Sequence, residues 1–229
     1  MSEHSKIVKD LEKILKKNYS EFSLTENHKI IQGLERFLRV ERQKSNLAFV
    51  LHEAALMINR VFPFKEVSIG MRGPIDGLYR YIEVLGLSPT AKSEHMKLRY
   101  TQTEMFDFEK YPAFKISRFT DFRYSDDQPT GSQIERKAFS RPSLLSLQRN
   151  SLEEMLEGDY IDIYIFDLKD QIIGWIEVAQ PRDGKIPSMS TIRWLEFLAL
   201  LISPIIERHV NEIKTAESLS TSKSAISHA

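Results

Sequence analysis

The chain of 229 residues contains no cysteine. Disulfides, thiolate nucleophiles, Cys-ligated zinc, iron–sulfur clusters and thioether-linked chromophores are thereby excluded. Excess charge of either sign is also missing: 32 Lys and Arg stand against 32 Asp and Glu. Without surplus cations the chain cannot neutralise many phosphates, so direct nucleic-acid binding is not expected. Long apolar runs are absent too. The longest, Phe197 to Ile206, includes Ser203 and Pro204 and is too short to cross a bilayer. The N-terminus mixes both charges around no apolar stretch, unlike a signal peptide. No glycine-rich phosphate loop occurs. What is present is an ordinary globular composition, 41% apolar and 28% charged, which supports a core. The expectation is a cytoplasmic protein without membrane association.

Hydrophobic spacing divides the chain into three parts. Residues 1–44 read as a helical extension. Ile7, Leu11, Ile14 and Leu15 recur at helical spacing, as do Ile30, Leu34, Phe37 and Leu38. Ser23 to Asn27 is the expected break, with Thr25 as a cap. Residues 45–212 read as one α+β domain. A helix over Leu47, Leu51, Ala54 and Ile58 ends at Pro63. A hairpin follows, Val67–Arg72 and Tyr79–Leu87, turning at Gly73–Gly77. The stretch 88–157 has no clean period. Tyr160–Leu168 and Gln171–Gln180 form a second hairpin turning at Lys169-Asp170. The last helix runs from Ser190 to about Ile213, bent at Pro204. Residues 213–229 are small and polar and read as a disordered tail.

Strand alternation sorts the faces. Ile161, Ile163 and Ile165 share one face of their strand, while Tyr160, Asp162, Tyr164 and Phe166 share the other. In the partner strand Ile172, Gly174, Ile176 and Val178 oppose Ile173, Trp175, Glu177 and Ala179. The earlier strand sets Ile82 and Val84 against Tyr79, Tyr81 and Glu83. One face is aliphatic and suits helices; the other is aromatic and acidic. The long irregular insert is expected to cover that second face as the roof of a pocket.

The segment "GDYIDIYIFDLKDQIIGWIEVAQPRDGKIPSMSTIRWLEFLALLISPIIE" (Gly158–Glu207) resembles the ending of the GAF domain, a small-molecule-sensing module related to PAS. Gly174 sits at the pattern's glycine. "FKISRFTDFRYSDDQP" (Phe114–Pro129) is similar to the GAF segment in which an aspartate follows a short strand, which makes Asp121 that aspartate. The wording is also similar to GAF regions of archaeal signal-transduction histidine kinases. The resemblance covers residues 45–210. It implies a central antiparallel sheet of five or six strands, N- and C-terminal helices on one face and the insert on the other. It also implies a homodimer through the terminal helices. On the last helix Ile192, Leu195, Ala199, Ile202 and Ile206 form one stripe and Trp194, Leu198, Leu201 and Ile205 a second, left over for a partner. The cyclic-nucleotide signature is missing. Covalent bilin and GAF-type sulfoxide reduction both need a cysteine.

The expected function is a stand-alone sensory or regulatory domain. It binds an unidentified small molecule between sheet and insert and signals through its helices to a partner protein. Tyr81, Glu83, Tyr100, Phe119, Asp121, Tyr124, Arg141, Tyr164, Trp175 and Glu177 are the expected pocket residues. Aromatics would stack, Arg141 would pair with an anion and carboxylates would accept donors. The alternative is a ligand-free dimerisation scaffold whose pocket is filled by its own side chains; a transcriptional co-regulator is a third reading. No catalytic residues and no metal ligands are assigned, since Glu83, Asp162 and Glu177 have no nucleophile or His cluster beside them. His52-Glu53 departs from the phosphoacceptor motif after the pair. His95 stands where a non-covalent haem ligand would. The insert 88–150 carries eleven Lys and Arg against eight acids, and 151–210 five against eleven. Lid and floor either pair with each other or hold an anion through Arg118, Arg123 or Arg141.

Overall fold

A computed structural model describes residues 13–15, 26–42, 46–125 and 133–226. The chain divides into two compact units, 1–44 and 45–229. In the first, α1 (Glu26–Arg42) carries Ile30, Leu34 and Phe37 along one stripe. Residues 13–15 are helical. The rest of the expected first helix, the break after Ser23 and the Thr25 cap lie outside the described residues.

In the second unit, α2 (Leu47–Val61) starts where Asn46 accepts the Phe49 N–H at 2.8 Å and ends before Pro63. Strands β1 (Phe64–Arg72) and β2 (Tyr79–Leu85) form the first hairpin. The insert supplies α3 (Pro89–His95), α4 (Gln102–Met105), β3 (Ala113–Lys115), β4 (Thr120–Arg123), α5 (Gln133–Lys137) and a 3-10 turn at Pro142–Ser146. Strands β5 (Tyr160–Phe166) and β6 (Ile172–Pro181) form the last hairpin, and α6 (Met189–Ile226) closes the chain.

The six strands form one antiparallel sheet in the order β2-β1-β6-β5-β4-β3. Two of its strands come from the insert. Helix α2 lies on β1 and β2, and α6 on β5 and β6. They cover the aliphatic face, where Ile69, Ile161, Ile163, Ile165, Ile176 and Val178 are buried. A Cβ on Gly174 would stand 2.7 Å from the Gly70 carbonyl and 3.4 Å from Ile206 of α6. That close approach admits only glycine.

Helix α6 extends through Ile226, so the polar segment expected as a disordered tail from 213 is helical as far as the structure describes it. The segment holds Ala, Glu, Lys and Leu and no helix-stopping Gly or Pro. The stretch Met189–Glu217 is long and apolar enough to cross a membrane by length and composition alone. Its stripe of Ile192, Leu195, Ala199, Ile202 and Ile206 is buried within the fold. The second stripe is partly buried as well, at Leu198 and Ile205. Among the described residues of the helix, the large apolar side chains left outside are Met189, Phe197 and Leu200, 47%, 44% and 53% exposed.

Candidate functional site

Register sets the insert-facing surface as three rows across the sheet. One row runs Tyr164, Trp175, Gly70, Tyr81. The next runs Asp121, Asp162, Glu177, Ser68, and the third Arg123, Tyr160, Ala179, Glu66. The first row is packed. Gly70 leaves space that the Trp175 ring fills: a Cβ there would lie 2.1 Å from the indole. Tyr81 and Tyr79 lie with ring centroids 5.0 and 6.2 Å from Trp175, and Phe106 meets both Tyr79 and Tyr164 edge-on. Leu98, Ala138 and Val84 complete the cluster.

Above the other two rows the packing fails to close. A cavity of about 100 Å3 is bounded by Glu66, Ser68, Tyr160 and Glu177 from the sheet and by His95, Leu98, Tyr100 and Ala138 from the insert. A smaller hollow of about 40 Å3 lies beside Asp162 and Arg123. Both share Tyr81, Tyr100, Tyr111, Tyr160 and Glu177 as walls.

The walls are rich in carboxylate. Glu157 is held by the Arg141 guanidinium at 2.6 Å and by Gln180. Asp159 binds Arg149 at 2.9 Å and the Ser125 and Leu156 N–H groups. Arg123, fully buried, donates to Asp162 Oδ2 at 3.2 Å, to the Tyr164 hydroxyl at 3.1 Å and to the Tyr111 carbonyl. Glu177 accepts from the Tyr81 hydroxyl at 2.7 Å. Burial pushes Glu66, Asp162 and Glu177 each up to about 7; the Glu157 charge adds to the effect at Glu66, and Arg123 opposes it at Asp162 and Glu177. His95 packs against Tyr81, rings tilted by 55° with centroids 3.9 Å apart, and its Nε2 lies 3.8 Å from Glu177 Oε1. Burial pushes it down to about 4, so it is neutral at pH 7.

Three of the ten expected pocket residues, Tyr81, Tyr100 and Glu177, line the cavity. Tyr164 and Trp175 lie in the packed row. Asp121 is buried and accepts from the Tyr164 hydroxyl at 2.9 Å. Phe119 packs edge-on against Phe166, 5.5 Å between centroids, and Tyr124 is half-buried away from the cavity walls. Arg141 pairs with the protein's own Glu157 and Gln180. Arg118 pairs with Asp170. Lid and floor therefore pair with each other.

Glu83 lies on the opposite face. Ile69 opposes Glu83 but Gly70 opposes Tyr81, so Ile82 is an extra residue. This bulge reverses the alternation: Val84 joins the aromatic cluster, and Glu83 meets His52 of α2 at 3.3 Å and Lys92 at 3.4 Å. Glu66, Tyr160 and His95 were not among the expected pocket residues. Starting β1 at Phe64 rather than Val67 puts Glu66, Ser68 and Gly70 on one face, which was the available signal.

No protein-family model and no curated protein matches the sequence. Solved structures do. A GAF domain of A. aeolicus in an inactive state superposes with TM-score 0.52 at 9% identity, over 81% of this chain and 99% of that one. The GAF domain of a phosphoenolpyruvate-protein phosphotransferase from Coxiella burnetii gives 0.50 at 13% identity, over 86% and 99%. A GAF domain/HD domain protein from Geobacter sulfurreducens gives 0.50 at 10%, over 71% and 93%. With the six-stranded order and helices on one face, these likenesses show that the chain has a GAF fold.

Proposed function

We propose that this chain is a sensory or regulatory GAF-type domain that binds a small molecule in the cavity between sheet and insert. Occupancy biases α3 and α5, which supply His95 and Glu135 to the cavity wall, and the change passes through the sheet to α2 and α6 and on to a partner protein. The observation that carries the reading is the unfilled space over Glu66, Ser68 and Glu177, walled by five ionisable carboxylates and four tyrosines in an otherwise packed interior. The cavity is too small for a porphyrin, so His95 is read as a wall residue. The reading is non-catalytic: Glu157 and Asp159 are held by guanidinium groups, and Glu177 faces a phenol and a neutral imidazole. Trp194, Phe197 and Leu200 on α6 are the proposed self-association surface. Reading Gly158–Glu207 as similar to GAF regions of archaeal sensory kinases would make that partner a signalling protein.

The packed Trp175 cluster favours a second reading, a ligand-free scaffold that docks through its helices. Native mass spectrometry of the protein isolated from its own host separates the two. A dimer carrying a discrete extra mass supports the sensor. A bare dimer moves the function to the scaffold. A monomer removes the self-association surface.

A further inference from the structure

The sheet floor beneath the cavity and the smaller hollow has a charge imbalance that its own side chains do not settle. Asp121, Asp162 and Glu177 are directly opposed partners on three adjacent strands. Like charges so placed repel across about 5 Å. Arg123 is the cation among them, and it is committed to Asp162 Oδ2, the Tyr164 hydroxyl and the Tyr111 carbonyl. Arg141, near Glu66, is held by Glu157 and Gln180. Glu177 keeps a phenol and a neutral histidine as partners among the described residues. Asp162 Oδ1 is buried at the wall of the smaller hollow and has no hydrogen-bond partner, in a side chain only 4% exposed. A buried acceptor left open in this way costs stability until a donor arrives.

Resting on the cavity as a ligand site, we propose that its ligand is a small organic cation. Its ammonium group sits between Glu177 and Asp162 at the smaller hollow, and its stem lies against Tyr81, Tyr100 and Tyr160, the walls that hollow shares with the cavity. An ammonium brings three donors and a positive charge, which is what the opposed carboxylates and the open Oδ1 lack. The phenol rings add the face-on attraction that aromatic walls give a desolvated cation. An anion finds the one buried guanidinium already committed. No group of three His, Asp or Glu side chains suited to a metal ion occurs among the described residues, and Leu98 and Ala138 suit a hydrocarbon stem. The volume limits the guest to a few non-hydrogen atoms beyond the nitrogen, well under drug-sized pockets.

The test uses the full chain, with unfolding midpoint and tryptophan fluorescence followed on titration with n-butylammonium chloride. Potassium chloride at equal ionic strength is the baseline and sodium butyrate the anionic counterpart. Butylammonium should raise the midpoint saturably and butyrate should not. Binding should weaken about tenfold per unit as pH falls below 7, because one proton competes with the cation for the carboxylates. Glu177→Gln keeps an acceptor for the Tyr81 hydroxyl and should fold while binding at least tenfold more weakly. Glu66→Gln, checked for folding by circular dichroism, should weaken binding too. Glu83→Gln, on the other face, should bind as the parent does. An equal response in Glu177→Gln, or no saturable response to butylammonium, overturns the inference. Saturation by butyrate alone overturns the cation and leaves the cavity reading standing. That reading falls separately, on the native mass, which presumes no ligand class.

Discussion

The insert-facing side of the sheet has two ends built from the same strands, and they have opposite characters. At the Trp175 end, β1 presents Gly70, and the indole occupies the space a side chain would have taken. Two residues earlier β1 presents Ser68, also small, but the side chain opposite is Glu177, whose buried carboxyl is held by the Tyr81 hydroxyl and leaves the space beside it open. One vacancy is closed by an aromatic ring and becomes core. The other is ringed by carboxylates and stays hollow. A small residue in a strand makes room, and the chemistry of its cross-strand neighbour decides whether the room becomes packing or a site.

The largest effect is expected at the packed end. Trp175 is fully buried against Gly70, Tyr79 and Tyr81. Trp175→Ala should cost about 3–5 kcal/mol, read from urea unfolding. A loss below about 1 kcal/mol would mean that the two ends are equally hollow, and the contrast would fail.

The hollow end should show itself in pH dependence. The Glu177 carboxyl rises from 4.5 in the unfolded chain to about 7 in the folded one, through burial first. The folded state then binds the proton more tightly. The stability it contributes is full below pH 4.5 and is lost as pH rises to about 7, with no further loss above. Glu66 and Asp162 move in the same direction. Facing this group are Tyr81, Tyr100, Tyr160, neutral His95, Arg123, Asp162 and Glu66. The parent should therefore lose stability between pH 4.5 and 7. Glu177→Gln should lose less and exceed the parent at pH 8 by about 1–3 kcal/mol. Urea midpoints at pH 5 and 8 test this, and a parent with no slope would show that the carboxylates are not buried.

Much of this contrast was legible in strand alternation. The pairs Tyr164–Trp175 and Asp162–Glu177 fall on one face because β5 and β6 keep strict period two where those residues stand. Less legible were β3 and β4, of three and four residues, which are too short to show a period. Arg141 carried no sign that its anion would be Glu157, because that pairing joins residues brought together only by the folded insert. Volume was not legible at all. That Trp175 would fill its space while Glu177 would not depends on which residue of β1 each one opposes, and therefore on register.

Glu83 gives the smallest expected effect and the sharpest test of register. Alternation alone places it beside Tyr81 in the cavity, and the extra residue Ile82 turns it to the helices. There it meets His52 and Lys92, whose side chains are 39% and 45% exposed, so screening limits what the pairs contribute. Glu83→Gln should cost under about 1 kcal/mol, less at high salt, and should leave the pH dependence of the hollow end intact. Combined with His52→Ala it should cost less than the two single changes added, because they remove one shared contact. If Glu83→Gln instead flattened the slope between pH 4.5 and 7 as Glu177→Gln does, Glu83 would belong to the cavity, and the bulge that divides the two faces of β2 would be wrong.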